Sequence, residues 1–162
     1  MTTQADTVVR LDLGCTPELA ISGALLVQTE TSTFLTFNAM TIAEDGFRHE
    51  VGTALVEFSY CHITKFGYPS EDAISGHPLY LKMEEAIGES DVFEVLNSSW
   101  KTQLEEQNRI LFPDYSDWAA RHFIITFRGS TFECLADNIY LTISQEPYKA
   151  VFQRIAQRVL AE

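Results

Sequence analysis

Residues 121–144 read RHFIITFRGSTFECLADNIYLTIS, and this stretch decides the fold. Two runs in which apolar and polar residues alternate flank the pair Gly129-Ser130. Such a pair is typical of a two-residue hairpin turn with glycine first. The stretch therefore predicts a β-hairpin in which Arg128 lies opposite Thr131, and all further pairs follow by counting outward.

Because side chains on a strand alternate between its two faces, this hairpin has a dry face and a mixed face. The dry face carries Phe123, Ile125, Phe127, Phe132, Cys134 and Ala136. The mixed face carries His122, Thr126, Arg128, Thr131, Glu133 and Asp137, with Ile124 and Leu135 among them. In this predicted register, His122 lies directly opposite Asp137.

The rest of the chain adds more strands and two helices. Strands are predicted over 7–13, 19–28, 33–42, 48–64 and 91–96. Residues 97–99 offer N-cap side chains for a helix that Pro113 ends, and a last amphipathic helix begins near Pro147. This order predicts an α+β fold: a curved antiparallel sheet or partial barrel of about seven strands, with two amphipathic helices packed against it. We expect one globular domain over 1–162.

The charge of the chain argues against some classes of partner. It has 23 acidic and 11 basic residues and a net charge of −12, without any run of Lys and Arg. We therefore expect no binding to nucleic acid or to anionic membranes. Residues 1–6 lack the positive start of a secretory signal, and the three cysteines (Cys15, Cys61, Cys134) form no CxxC pair. These features predict reduced thiols and a cytoplasmic location.

The sharpest catalytic candidate is His122 with Asp137 and Glu133. A carboxylate opposite an imidazole can fix its tautomer and raise its basicity, as a general base requires. The same pattern is more often a cross-strand charged pair on a solvated face. The sequence therefore favours a protein without catalytic activity over an enzyme. A cysteine nucleophile is not expected, because Cys134 and His122 point to opposite faces of the hairpin.

A second set of residues is predicted to bind a ligand. Tyr115 and Trp118 lie in a loop-like segment after Pro113, where large aromatic side chains can wall a pocket. Tyr60 and His62 share the apolar face of the strand over 48–64, and Arg128 suits an anion. The four histidines show no metal-binding spacing and the glycines form no phosphate loop, so neither a metal nor a cofactor is expected.

Three functions fit these observations. The first, which we predict, is a non-catalytic domain that holds a small apolar or amphipathic ligand in a pocket between sheet and helices, lined by some of Phe34, Phe37, Phe58, Tyr60 and Phe93. The second is an interaction module, either a homodimer or a partner of a basic protein drawn to the acidic segment 71–106. The third is an acid–base enzyme, which needs His122 in a cleft.

Overall fold

Two antiparallel sheets of five strands each face one another, and helices cover their outer faces. This architecture is taken from a computed structural model, which describes residues 4–115 and 118–162. The α+β class and the antiparallel strand pairing are as predicted from the sequence.

The first sheet, called sheet A, carries the hairpin quoted above at its centre. Its strands, in spatial order, are β1 (Thr7–Arg10), β7 (Val92–Leu96), β8 (Arg121–Thr126), β9 (Thr131–Ala136) and β6 (Ile63–Gly67). The second, sheet B, has the order β10 (Asn138–Ser144), β5 (Arg48–Ser59), β4 (Thr33–Ile42) and β2 (Thr16–Pro17), with β3 (Leu25–Gln28) also paired to β4.

The main core lies between the sheets. Sheet A contributes the six residues of the predicted dry face, all buried, and sheet B contributes Leu35, Phe37, Ala54, Val56 and Phe58. Aromatic rings meet across the interface: Phe37 packs on Phe127 with ring centroids 5.3 Å apart, and Phe58 on Phe132 at 5.1 Å. The period-two alternation of the sequence therefore assigned the inward face of the hairpin correctly.

The register of the hairpin differs from the prediction by two residues. Thr126, and not Arg128, lies opposite Thr131, and a four-residue loop whose Phe127 N–H donates to Ser130 O (2.8 Å) joins the strands. Gly129 does not take the positive φ that a glycine-first two-residue turn requires. A shift of two preserves the faces but changes the partners, so His122 lies opposite Leu135 and the predicted pairing with Asp137 is wrong.

The prediction of one curved sheet or partial barrel of about seven strands is not confirmed. In the described residues the strands form two separate sheets that do not close on one another. The predicted strand over 48–64 breaks after Ser59, where Tyr60 has a φ of 47°, and the run after Gly129 breaks at Asp137. Each break moves the chain from one sheet to the other, as at the corners of packed sheets.

These two breaks lie side by side and form what we call the corner. The Asp137 N–H donates to Ser59 O (2.9 Å), and the His62 N–H donates to Leu135 O (2.8 Å). Backbone hydrogen bonds therefore continue from sheet B into sheet A through the corner. The two sheets are connected there by the polypeptide chain itself, in addition to the packing of their side chains.

Both predicted amphipathic helices are present, as α2 (Ser99–Leu111) and α3 (Tyr148–Leu160). A 3-10 helix (Glu71–Gly76) and the short helix α1 (Tyr80–Glu85) fold the loop-like region onto the outer face of sheet A, beside α2. Helix α3 covers the outer face of sheet B. None of the helices in the described part of the chain is long and apolar enough to cross a membrane.

Candidate functional site

His122 and Glu133 lie next to each other on the outer face of sheet A, beneath the helices. His122 stands on β8 and is 3% exposed, and Glu133 stands on β9 and is 9% exposed. The His122 Nε2–H donates to Glu133 Oε1 at 3.1 Å. The pair is buried, whereas a cross-strand pair on a solvated face would be open to water.

A second imidazole reaches the same carboxylate from the segment between the 3-10 helix and α1. His77 Nε2 lies 3.3 Å from Glu133 Oε2, so each carboxylate oxygen accepts from one imidazole. Burial alone would raise the pKa of the Glu133 carboxyl, but the hydrogen bonds and charges of His122 and His77 outweigh it and lower the pKa to about 2. Glu133 is therefore ionised at neutral pH.

The other nitrogen of each imidazole also has a partner. The Leu79 N–H donates to His77 Nδ1 (3.0 Å), and Ser98 Oγ lies 2.8 Å from His122 Nδ1. Ser98 Oγ also accepts from the Lys101 N–H (3.1 Å), so one hydroxyl contacts both the helix and His122. Each imidazole therefore directs its Nε2–H at Glu133, and its Nδ1 has a separate partner.

The backbone next to Ser98 explains how a helix cap reaches a strand histidine. Strand β7 pairs with β8 so that Val95 lies opposite His122, and Asn97 then takes a left-handed conformation with a φ of 55°. This turn starts α2 directly above β8 with Ser98 as its N-cap. The sequence indicates Ser98 only as one of several cap residues, and no local pattern connects His77 to the site.

A pocket of about 600 Å³ opens above this cluster, between the sheet and the helices. We call it the His122 pocket. Its floor is His77, His122 and Glu133, its walls include Tyr68, Leu79 and Trp100, and Asp6 and Lys65 lie at its rim. The Trp100 ring stands edge-on to the His122 ring with centroids 5.2 Å apart, and Lys65 Nζ lies 3.9 Å from the centroid of the Trp100 ring.

Asp137, the third residue of the predicted catalytic set, lies at the corner and not in the His122 pocket. Its Oδ1 is 3.4 Å from His62 Nε2, and the same nitrogen accepts the Trp118 Nε1–H at 3.0 Å. The hairpin register explains the separation, because Asp137 follows the last residue of β9 and leaves sheet A. His62 and Trp118 are thus hydrogen-bonded at the corner, and the Asp137 carboxylate lies beside them.

The remaining predicted ligand residues lie apart from one another. Tyr60 is exposed at the corner, and Tyr115, which precedes the undescribed residues 116 and 117, is partly exposed beyond α2. Arg128 Nη1 is paired with Glu71 Oε2 (2.8 Å) and Asp72 Oδ1 (3.3 Å) on the 3-10 helix. Arg128 therefore holds that helix onto the hairpin loop.

The aromatic residues expected to line a ligand cavity are distributed over several clusters. Phe37 and Phe58 pack in the core between the sheets, Phe34 lies beneath α3, and Phe93 packs with Met83 of α1. Of these, Phe37 borders a hollow of only about 10 Å³. The aromatic residues predicted to line a cavity therefore do not surround a common space, and none of them lines the His122 pocket.

Ser98, His122 and Glu133 are connected in the order of a hydrolytic triad, but the geometry does not favour a serine nucleophile. Ser98 is buried, and its oxygen already accepts the helix-capping hydrogen bond from Lys101. Its neighbour Ser99 lines the pocket instead, with its Oγ–H donated to Asp6 Oδ2 (2.9 Å). The hydroxyl of Ser98 therefore orients His122 and has no open side from which to attack a substrate.

A second pocket of about 600 Å³ lies at the end of the sandwich between residues 10–16 and 87–90. Its one arginine, Arg10, donates hydrogen bonds to the carbonyl oxygens of Ala86 (2.9 Å), Ser90 (2.5 Å) and Met83 (3.3 Å). Cys15 lies at its edge, and burial together with the charge of Asp12 raises the pKa of this thiol to about 11. These groups serve the fold and offer no reactive centre.

Within residues 4–115 and 118–162, no group of three His, Cys, Asp or Glu side chains is arranged to hold a metal ion. Comparison with known proteins adds no functional information: no family model, curated protein or solved structure matches the chain. The geometry of the His122 pocket is therefore the basis for a functional proposal.

Proposed function

We propose that this protein binds a small amphipathic molecule in the His122 pocket. The observation that carries the proposal is a buried, ionised carboxylate held between two imidazoles at the floor of a pocket of about 600 Å³. Ligand sites of this size usually combine apolar walls with a few fixed polar groups. Here Tyr68, Leu79 and Trp100 supply the walls, and Glu133 supplies an acceptor whose position is fixed from both sides.

The role we propose is binding without catalysis. Each of the four imidazole nitrogens in the cluster already has a partner, so neither His77 nor His122 offers a free lone pair to a substrate. A general base must reach the proton that it removes. Acid–base chemistry at His122 therefore requires a ligand that first breaks one of these hydrogen bonds.

Native mass spectrometry of the protein purified from its host tests this proposal. We expect an additional mass, on the order of a few hundred daltons, that is lost on denaturation. Tyr68→Ala removes a wall residue that is 91% exposed. It should therefore lower the fraction of protein that carries the ligand without changing the midpoint of thermal unfolding. The control, Phe47→Ala, removes another exposed aromatic ring, which lies in the turn between β4 and β5 and does not line the pocket.

A bare mass, together with no thermal shift in a panel of cationic, neutral and anionic amphiphiles, would contradict the proposal. Equal loss of ligand in Tyr68→Ala and Phe47→Ala would place the ligand outside the His122 pocket.

A homodimer is a second candidate function, and strand β10 favours it. This strand forms an edge of sheet B, and its residues Asn138–Ser144 include no charged residue, proline or glycine. Edge strands are usually protected by charge, by proline or by shortness, as β2 is by Pro17 and β6 by Lys65. In a chain with a net charge of −12, an uncharged edge is also where a second copy meets the least repulsion.

The dimer is tested by the mass in solution from light scattering. Thr142→Lys places a charge at an exposed position of β10 and should give a monomer, whereas Thr7→Lys on the edge strand β1 should leave the dimer intact. A wild-type monomer at high protein concentration would exclude this candidate. We also propose a cytoplasmic location, which the three free thiols favour.

A further inference from the structure

The Glu133 carboxylate supplies the negative charge on the floor of the His122 pocket. Both imidazoles direct their Nε2–H at its carboxylate, so neither of these donors is left for a ligand. Asp6 adds a second carboxylate at the rim, where it accepts from the Ser99 N–H (2.6 Å). Lys65 is the one Lys or Arg among the described residues that line the pocket.

The wall of the pocket already holds a cation. Lys65 Nζ lies 3.9 Å from the centroid of the Trp100 ring, which is cation–π geometry. Lys65 stands on the edge strand β6 and its side chain is exposed, so it can swing into solvent without disturbing the sheet. The Trp100 ring and the Glu133 carboxylate both contact His122, and thus both groups that attract a cation flank one imidazole.

We propose that the ligand of the His122 pocket is an organic cation, an amine on an apolar skeleton, whose ammonium group displaces that of Lys65 from Trp100 and donates to Glu133. This inference rests on the proposed function. The apolar part of the ligand covers Tyr68 and Leu79. An anionic ligand of the same shape would face the Glu133 charge with no free donor on the floor, because each imidazole N–H is already donated to Glu133.

Three probes of similar shape separate charge from shape: 2-phenylethylamine, 2-phenylethanol and 3-phenylpropanoate. Calorimetric titration at pH 7 should show the amine binding about tenfold more tightly than the alcohol, since a desolvated cation–π contact is of that magnitude. The carboxylate should bind most weakly of the three.

The variant Lys65→Met keeps the length of the side chain and removes the competing ammonium. We expect it to raise the affinity for 2-phenylethylamine by about threefold to tenfold, since the Trp100 ring is then free. Lys149→Met, at an exposed position of α3, makes the same change in net charge far from the pocket and should leave the affinity unchanged. Neither lysine is buried, so both variants should fold.

The outcomes separate this inference from the proposed function. If 3-phenylpropanoate or the alcohol binds as tightly as the amine, the pocket is a ligand site as proposed, but the inference that its ligand is a cation is wrong. If Lys65→Met weakens amine binding, Lys65 contacts the ligand and does not compete with it, which also overturns the inference. If no probe binds and the native mass is bare, the proposed function itself fails.

Discussion

The outer faces of the two sheets are both covered by helices, but the contacts beneath those helices differ in kind. On sheet B, α3 rests on an apolar seam in which Phe34, Val151 and Ile155 are buried together. On sheet A, apolar clusters lie on both sides of the center, one around Ile124 and one around Leu135, and the polar group of His77, His122 and Glu133 lies between them.

This difference shows that the attachment of a helix to a sheet and the presence of the polar group need separate explanations. The seam under α3 shows that apolar burial is enough to attach a helix to a sheet in this molecule. Burying a carboxylate is expensive unless every partner is in place, and an apolar replacement often stabilises a protein as well or better. The polar group of sheet A is therefore better explained by the pocket above it than by the attachment of α1 and α2.

The largest effect is expected from the apolar seam. Ile155→Ala should lower the free energy of unfolding by about 3 kcal/mol, because it leaves a cavity under α3. Urea unfolding measures this loss, and it should be the same at pH 5 and pH 8, since the buried residues of the seam are all apolar. Leu160→Ala at an exposed position of the same helix is the control. A loss below about 1 kcal/mol for Ile155→Ala would show that the seam does not hold the helix.

The next effect is expected from Glu133→Gln. The amide keeps the shape of the side chain, but one imidazole N–H then faces an NH₂ group, so we expect a loss of about 2 kcal/mol at pH 7. Urea unfolding of the variant gives this value. Glu44→Gln, in the exposed turn before β5, should be neutral. A neutral Glu133→Gln would mean that the carboxylate is not the center of the cluster.

The same carboxylate predicts how stability depends on pH. Its pKa is about 2 in the folded protein against 4.5 for the free group, so its contribution is complete above pH 4.5 and is lost as the pH falls towards 2. This contribution is on the order of 3 kcal/mol at most. Urea unfolding between pH 2 and 6 should therefore show a steeper acid decline in the wild type than in Glu133→Gln. Parallel curves would contradict the assignment.

A smaller loss is expected from Ser98→Ala, which removes both the cap of α2 and the hydrogen-bond partner of His122 Nδ1. The loss of a serine cap is worth about 1 kcal/mol. Ser75→Ala, at an exposed position of the 3-10 helix, is the matched control, and thermal unfolding measures both. A Ser98→Ala variant as stable as the wild type would show that neither α2 nor the cluster depends on the Ser98 hydroxyl.

The smallest effect on stability is expected from a substitution in sheet B. Thr36 is buried in sheet B, and its Oγ1 is the one buried side-chain oxygen or nitrogen without a hydrogen-bond partner in the described residues. Thr36→Val should therefore be neutral, or stabilising by up to about 1 kcal/mol, because it removes an unsatisfied hydroxyl. Thermal unfolding distinguishes the results, and a clear loss of stability would mean that this hydroxyl has a partner.

The sequence predicts faces better than partners. The alternation in 121–136 assigned all six inward residues correctly, because a side chain's face depends only on counting by two. The register depended on the conformation of Gly129, which the residue type does not determine. The division into two sheets depended on Tyr60, which takes a left-handed φ although it is not a glycine, so no local pattern marks the bend.

The candidate site was predictable only in part for a related reason. His122 and Glu133 are neighbours on a hairpin and could be placed together from the sequence. His77 and Ser98 reach them from other segments of the chain, and their positions depend on how α1 and α2 pack on the sheet. Such long-range contacts leave no local pattern in a single sequence.

The corner also governs the order in which the molecule can assemble. Strand β5 meets its neighbour β10 only after almost half of the chain has followed it, and β6 must likewise wait for β9. Strand β1 in turn pairs with β7, across a long intervening segment. Closing such large loops costs entropy before any pairing is gained. A growing chain therefore cannot complete either sheet until residues 131–144 have been synthesised, and it should fold late and as a whole.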